Sequence, residues 1–210
     1  GIMLEKSGLA ESLLETMAGL FGSLRGGLAI SVVLVGALLA ASTGIVGATV
    51  VTMGVISLPV MLKRGYKPEL ATGVICASGT LGQIIPPSVV LILLAEQINA
   101  TSRGAAQVDV GSMFKAAFLP GIILVFAYVI YILLISNLKP TWAPATPKAQ
   151  LNKLKGKGYA MKVFKAFFLP LLLIVAVLGS IFFGIASPTE AAAVGAVGAT
   201  ILTVIERKFN

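Results

Sequence analysis

The chain has 210 residues, of which 57% are hydrophobic and only 11% are charged, and its formal net charge is +8. Soluble domains have about a quarter charged residues, so this depletion of charge indicates a polytopic membrane protein. The positive charges cluster in loops between apolar segments, which is typical of membrane topology and gives no reason to expect nucleic-acid binding. The sequence has no histidine and one cysteine, which excludes a disulfide framework and the commonest metal ligand.

The first predicted element is an amphipathic helix over residues 9–24. Leu13, Met17 and Leu20 recur at three- and four-residue spacing, while Glu11 lies on another face. This pattern predicts an interfacial arm helix that lies along the bilayer surface, with a plain packed helix as the alternative. We interpret residues 1–26 as the end of a scaffold helix followed by this arm.

Two short apolar segments, 27–40 and 49–62, flank a small polar loop. A helix of about 14 residues spans about 21 Å, whereas the hydrocarbon core of a bilayer is about 30 Å thick. The pattern therefore favours a re-entrant helical hairpin over residues 27–62, which enters and leaves on the cytoplasmic side. A kinked transmembrane pair is the alternative.

A discontinuous transmembrane helix is predicted for residues 69–98. We expect its first half to stop near Gly82, because Pro86 and Pro87 remove two backbone donors and disfavour helix before them. The second half is expected to start near Ser88, a suitable N-cap residue. A simple proline kink is the alternative.

The second half of the chain alternates between loops and full-length spans. Residues 99–138 comprise a periplasmic loop and a transmembrane helix, and residues 139–162, with six lysines, a basic cytoplasmic linker. Residues 163–210 comprise two further transmembrane helices. The second begins at Ser187-Pro188-Thr189-Glu190, whose spacing fits a capping box, and this role for Glu190 is favoured over a functional one.

The counts of Lys and Arg in the loops orient the chain. Alternation places the loops at 63–68, 139–162 and 207–208 on one side, and these carry three, six and two basic residues. The loops at 99–112 and 184–189 lie on the other side and carry one and none. The positive-inside rule therefore places the first group in the cytoplasm.

The polar breaks at 42–47 and 83–87 predict a cation and substrate site. Lipid cannot hydrogen-bond exposed backbone, so such breaks lie within protein or line a cavity, and in transporters they mark binding sites. Hydroxyl and carbonyl oxygens can hold sodium without a carboxylate, although each hydroxyl could instead bond its local backbone. The predicted sodium ligands are Ser42, Thr43, Gly44, Gly47, Ser78, Thr80 and Ile85. The predicted substrate contacts are Thr43, Thr49, Pro86 and Pro87.

These motifs resemble the large membrane subunit of tripartite ATP-independent periplasmic (TRAP) transporters, the DctM-like family. The specific matches are Gly-Tyr-Lys-Pro-Glu at 65–69, Ser-Gly-Thr-Leu-Gly-Gln-Ile-Ile-Pro-Pro-Ser at 78–88 and Ser-Pro-Thr-Glu-Ala-Ala-Ala at 187–193. The hairpin sequence around Gly44 matches as well. The chain departs from the family pattern at Gly79, where the family often has serine, and near the hairpin tip, where it lacks an acidic residue.

The resemblance implies an all-α, elevator-type ion transporter in the bacterial inner membrane. A transport domain, to which residues 27–98 would belong, slides within a scaffold and is coupled to a sodium gradient. The implied partners are a periplasmic substrate-binding protein that delivers a small organic acid, a small membrane subunit and the lipid bilayer. The chain would cover the first of two inverted repeats and the start of the second, so we expect the isolated chain to move no organic acid.

Two further functions fit the same sequence. One is a stand-alone sodium/carboxylate symporter of related hairpin fold, and the other is a non-transporting membrane scaffold subunit. Neighbouring genes for a binding protein and a small membrane subunit would favour the TRAP assembly. The sequence has no recognisable catalytic dyad, triad, metal cluster or phosphate loop, so an enzyme is not expected.

Overall fold

A computed structural model describes residues 9–101, 107–147, 151 and 159–205, and within these ranges all regular secondary structure is helical. A 3-10 turn, Leu81–Gln83, follows the fourth helix. The predicted all-α class is confirmed for this part of the chain. The helices are α1 (Leu9–Phe21), α2 (Gly27–Thr43), α3 (Val46–Lys63), α4 (Pro68–Thr80), α5 (Val89–Thr101), α6 (Val110–Leu138), α7 (Tyr159–Phe182) and α8 (Pro188–Ile205).

Helix α1 packs against α2 and α7. Its buried face comprises Leu13, Leu14, Met17 and Ala18, whereas Leu20 from the predicted apolar stripe is 41% exposed. The helix ends at Phe21, not at the predicted residue 24, because the chain turns through glycines that follow it. α1 is therefore a packed helix within this chain, and its placement along a bilayer surface stays a prediction.

Helices α2 and α3 form a hairpin whose connection is only Gly44 and Ile45. Gly44 has a φ of +63°, a left-handed conformation that glycine adopts without steric cost. The predicted polar loop over 42–47 was too long, because Ser42 and Thr43 complete the last turn of α2 and Gly47 lies in the first turn of α3. The helical pair is confirmed, while its re-entrant placement in a membrane stays a prediction.

Within the described residues, α3 with 18 residues and α6 with 29 are long and apolar enough to cross a membrane. α3 is longer than the predicted segment 49–62, because the small residues near the hairpin tip continue the helix. α6 carries a row of exposed large apolar side chains at three- and four-residue spacing, which is typical of a lipid-facing surface. This row comprises Leu119, Ile123, Phe126, Ile130, Leu134 and Leu138.

Helices α4 and α5 are the two halves of the predicted discontinuous helix. The Ser88 side chain, which is fully buried, joins them across the break. Its hydroxyl donates to the Gln83 carbonyl oxygen at 2.8 Å and accepts from the Leu91 N–H at 3.4 Å. Ser88 is thus the predicted N-cap of α5, and a full break is confirmed in place of a simple kink.

One end of the molecule is closed by residues 139–147, which we call the strap. The Gly26 N–H donates a hydrogen bond to the Ala143 carbonyl oxygen of the strap (3.0 Å). The Lys67 N–H donates to the Trp142 carbonyl oxygen of the strap (3.1 Å). The start of α2, the end of α3 and the end of α6 therefore lie together. The first part of the predicted cytoplasmic linker is thus ordered structure, while its residues 148–150 and 152–158 lie outside the described residues.

The opposite end brings together the start of α6, the end of α7 and the start of α8. Phe114 is fully buried there with Ile181 and Ala191. Asp109 caps α6 by accepting from the Ser112 N–H at 2.9 Å, which holds the pKa of that carboxyl below its usual value. The loop predicted over 99–112 was too long, because this cap starts the helix at Val110.

The predicted capping box at the start of α8 is confirmed. The Ser187 N–H donates to Glu190 Oε2 at 2.8 Å, and the Glu190 N–H donates to Ser187 Oγ at 3.4 Å. Helix α7 begins at Tyr159, inside the predicted linker, because the Tyr159 hydroxyl donates to the Thr16 carbonyl oxygen and anchors this turn on α1.

The grouping of loops at two ends leads to a topology prediction. In a Cys76→Ala background, cysteine at the exposed Gln107 should react with an impermeant thiol reagent from outside the cell, and cysteine at the exposed Thr141 only from inside. The two positions lie at opposite ends of α6, so they report on the same span. Labelling of intact cells and of inverted vesicles measures both, and the reverse pattern would overturn the orientation.

Candidate functional site

The hairpin tip contacts the break in the discontinuous helix. Gln83 Nε2 donates to the Gly44 carbonyl oxygen at 3.0 Å. A Cβ atom at Gly44 would lie 3.2 Å from the Pro87 carbonyl oxygen and 3.6 Å from the Val89 nitrogen. The ends of α2, α3, α4 and α5 therefore converge on one place, as the sequence predicts for its two polar breaks.

This contact lies near the middle of the long helix α6. A Cβ atom at Gly121 would lie 3.1 Å from Ile85 Cγ1 and 3.6 Å from the Ile84 carbonyl oxygen. Gly121 is about 17 Å from the start of α6 and about 26 Å from its end, at 1.5 Å per residue. A membrane-spanning α6 would place the break inside a hydrocarbon core of about 30 Å.

The converging helix ends give the contact both electrostatic signs. The C-terminal ends of α2 and α4 carry partial negative charge, and the N-terminal ends of α3 and α5 carry partial positive charge. Ile45, the residue before α3, makes no side-chain hydrogen bond that caps the helix. The first N–H groups of α3 therefore lie at the hairpin tip without a capping side chain. The arrangement suits a cation on one side and an anion on the other.

Two predicted sodium ligands, Ser78 and Thr80, lie at the end of α4. Ser78 is fully buried and faces α2, since a Cβ atom at Gly36 would lie 2.6 Å from Ser78 Cβ. Its hydroxyl donates to the Ile75 carbonyl oxygen at 2.9 Å, and that of the exposed Thr80 donates to the Ala77 carbonyl oxygen at 2.8 Å. Both hydroxyls therefore form the local backbone hydrogen bond that was the alternative to ion binding. Each hydroxyl oxygen nevertheless keeps lone pairs with which it could bind a cation.

The other predicted sodium ligands are placed differently. Gly44 lies at the contact, and a Cβ atom at Gly47 would meet nothing within 4 Å. Ile85 packs its side chain against α6, and the side chains of Ser42 and Thr43 lie outside what the structure describes. The structure thus brings Gly44 to the helix break, and the sodium-ligand assignments stay predictions.

The predicted substrate contacts surround the same place but are largely covered. Thr49 is 2% exposed, and its hydroxyl donates to the Ile45 carbonyl oxygen at 3.0 Å. Pro86 is fully buried, while Pro87 is half-buried and directs its carbonyl oxygen toward the tip. Their role in substrate binding stays a prediction.

The side chain of Gln83 is the feature that the sequence pattern did not reveal, since only backbone carbonyls were predicted to act there. Its Oε1 atom is buried and has no hydrogen-bond partner among the described residues, although its Nε2 binds the hairpin tip. Leaving such an atom unpaired costs about 1–3 kcal/mol, so a cation or donor there would be stabilising. The sequence feature that could have indicated this role for Gln83 is the presence of an amide residue within apolar sequence, shortly before a proline pair.

The departure from the family pattern at Gly79 has a packing reason. A Cβ atom there would overlap Val50 Cγ2 and lie 3.1 Å from the Val50 nitrogen. Glycine therefore allows α4 to pack closely on α3, and a serine at this position would not fit beside Val50 without a shift. This close approach holds the hairpin against α4 below the tip.

The whole chain, residues 1–210, matches the model of the family described as "Tripartite ATP-independent periplasmic transporter, DctM component". The chain belongs to this DctM family. The C4-dicarboxylate TRAP transporter large permease protein DctM of Pseudomonas aeruginosa is 36% identical over 197 residues, which are 94% of this chain and 42% of that protein. The protein of the same name from Vibrio cholerae is 38% identical over 190 residues, 90% of this chain and 38% of that protein.

A relative with a different printed substrate is also similar. The ectoine TRAP transporter large permease protein TeaC of Halomonas elongata is 31% identical over 196 residues, 93% of this chain and 42% of that protein. This chain therefore spans about two fifths of the length of these curated relatives. Its relatives are transporter permeases, and the helical architecture with membrane-length helices agrees with that class.

Proposed function

We propose that this chain forms part of the large permease of a sodium-coupled secondary transporter that imports small organic acids across the bacterial inner membrane. Membership of the DctM family supports the transporter class. The observation that carries the proposal is the hydrogen bond between Gln83 and Gly44, because it joins the hairpin tip to the helix break. Two polar backbone breaks that meet inside apolar structure are what a transport site requires.

The coupling ion is proposed to bind beside the C-terminal ends of α2 and α4. Sodium prefers hard oxygen ligands, and these ends offer backbone carbonyls and helix-dipole charge of the correct sign. The proposed side-chain ligands are Gln83 Oε1, which has no hydrogen-bond partner among the described residues, and the hydroxyls of Ser78 and Thr80 in the last turn of α4. Binding there would tie the tip to the break more firmly than the single amide hydrogen bond does.

The substrate carboxylate is proposed to bind at the N-terminal ends of α3 and α5. These ends present backbone N–H groups and partial positive charge, which favour an anion. Relatives are named for C4-dicarboxylates, ectoine and sialic acid, which carry carboxylates, and for isethionate, which carries a sulfonate; all are small organic molecules with an acid group. The proposed substrate class is accordingly a small organic acid.

The proposed transport cycle is an elevator movement in which the hairpin and the broken helix move together. The close approach of Gly79 to Val50 and the Gln83 hydrogen bond support their movement as one unit. A periplasmic substrate-binding protein and a small membrane subunit are the proposed partners. Both follow from family membership and are proposals for this chain.

Uptake by the complete transporter in proteoliposomes tests this proposal. With the binding protein outside, an inward sodium gradient should drive accumulation of succinate, sialic acid or ectoine, whereas an equal potassium gradient should not. Accumulation that is equal with both ions would contradict sodium coupling. Uptake without any binding protein would favour the stand-alone symporter, and no uptake of any of the three compounds would favour the scaffold.

A further inference from the structure

Two lysines from distant loops share the indole ring of Trp142 in the strap. Lys67 Nζ lies 5.0 Å from the ring centroid, and Lys139 Nζ lies 4.2 Å from it. The backbone fixes both residues, because the Lys67 N–H donates to the Trp142 carbonyl oxygen at 3.1 Å and the Trp142 N–H donates to the Lys139 carbonyl oxygen at 2.9 Å. The strap and the turn after α3 thus bring two ammonium groups to one ring, each within 5.0 Å of its centre.

These two charges have no anionic partner within the part of the chain that the structure describes. Among the described residues, the indole ring is the only side-chain partner of Lys67 and Lys139, and neither forms an ion pair with a carboxylate. Both lysines are exposed, and an ammonium group on a ring face keeps donors free for a further contact. Two like charges held beside one ring repel each other, so an anion that contacts both would be stabilised.

The neighbouring arginine does not belong to this pair. Arg64 Nη1 donates to Thr146 Oγ1 at 2.8 Å and so fastens the strap to the turn after α3. Its burial lowers the pKa of the guanidinium from its usual value, and burial likewise raises the pKa of the adjacent Tyr66 hydroxyl. Arg64 therefore holds the strap in place, whereas Lys67 and Lys139 are exposed.

An exposed apolar surface runs along the end of α6 up to Lys139. Tyr131, Leu134 and Leu138 are exposed and recur at three- and four-residue spacing on the last turns of α6, and Lys139 follows at once. A surface that changes from exposed aliphatic side chains to tryptophan and lysine is typical of the membrane–water boundary. A soluble anion would use the charges and leave the apolar surface bare, whereas a phospholipid would cover both.

We propose that Lys67, Lys139 and Trp142 form a binding site for the phosphate of an anionic phospholipid in the cytoplasmic leaflet. The phosphate contacts both ammonium groups, and an acyl chain lies along Tyr131, Leu134 and Leu138. The occupied site secures the strap and therefore the base of the hairpin, since the same segment hydrogen-bonds the start of α2 and the turn after α3.

Native mass spectrometry of the complete permease, titrated with phosphatidylglycerol, tests the site. Each basic side chain near an anionic surface contributes about 1 kcal/mol, so the Lys67→Gln/Lys139→Gln variant should bind this lipid about thirtyfold more weakly. The control variant Lys115→Gln removes an exposed lysine near the start of α6, at the opposite end of this helix from Lys139, and should bind like the parent. Equal binding by the Lys67→Gln/Lys139→Gln variant and the parent would overturn the proposal, as would an equal loss in the control.

Two further experiments test the role of the Trp142 ring and whether the bound phosphate belongs to a lipid or to a soluble anion. Trp142→Phe keeps an aromatic face and should retain most of the phosphatidylglycerol preference, whereas Trp142→Leu should lose it. Retention by Trp142→Leu would contradict a role for the ring. Glycerol 3-phosphate should not displace the bound lipid, and effective displacement would show a soluble-anion site in place of a lipid site.

Discussion

Replacing Gly44 with valine is expected to abolish sodium-driven uptake and to lower the free energy of unfolding of the complete permease by about 2–5 kcal/mol. Gly44 has a φ of +63°, which a β-branched residue adopts only with strain. Its side chain would also press on the Pro87 carbonyl oxygen, which is backbone and cannot move away cheaply. The variant should therefore separate the hairpin tip from the helix break.

The matched control for this change is Gly54→Val in the same hairpin. A Cβ atom at Gly54 would meet nothing within 4 Å, and its φ is not in the left-handed region. Uptake and thermal unfolding of Gly54→Val should stay close to those of the parent. Unchanged uptake in Gly44→Val would contradict the claim that the tip–break contact is needed for transport.

Sodium is expected to raise the melting temperature of the complete permease more than potassium at equal ionic strength. A ligand that binds only the folded state adds about 2.7 kcal/mol of stability at a hundred times its dissociation constant. Thr80→Ala and Ser78→Ala should shrink the difference between the two ions, because each removes an oxygen near the C-terminal end of α4. Differential scanning fluorimetry in the two salts measures this difference.

Each of these variants has a matched control. Thr72→Ala removes another exposed threonine of α4, whose hydroxyl also bonds its own helix at the Pro68 carbonyl oxygen (2.8 Å). Ser136→Ala removes a buried serine of α6, which bonds the Leu133 carbonyl oxygen (3.0 Å) in the manner of Ser78. Both controls should keep the full sodium effect. Equal stabilisation of the parent by both ions would count against a sodium site here.

The local signals in the sequence predicted the elements well. Ser88 caps α5, Glu190 completes a capping box, and the proline pair breaks the helix where expected. These features depend on residues within a few positions of one another, so their chemistry can be read from the order of residues alone. Family membership, which rested on longer motifs, was confirmed as well.

Features that depend on distant residues were not predictable in the same way. The hydrogen bond from Gln83 to Gly44 joins residues 39 positions apart, and no local pattern indicates which amide will meet which carbonyl. Leu13 and Met17 of the predicted apolar stripe of α1 are buried as expected, but Leu20 is exposed, because packing against α2 and α7 selects the buried face. The sequence predicted only a basic linker for the residues of the strap, because the strap is ordered by hydrogen bonds to two other turns of the chain.

Helix lengths near the tip were the remaining error. Polar and glycine residues at 42–47 predicted a loop, but Ser and Thr can continue a helix when their hydroxyls bond the preceding turn, as Thr49 does with Ile45. Only Gly44, with its left-handed backbone, and Ile45 leave the helical path.

Disulfide formation between cysteines at Gly44 and Val89 tests the tip–break contact most directly. A Cβ atom at Gly44 would lie 3.4 Å from Val89 Cγ2, so in a Cys76→Ala background the two cysteines should form a disulfide under oxidising conditions. The pair Gly54→Cys/Val89→Cys, whose first member lies about 15 Å further along α3, should stay reduced. Non-reducing peptide mapping that finds the Gly44→Cys/Val89→Cys pair reduced and the Gly54→Cys/Val89→Cys pair oxidised would contradict the account.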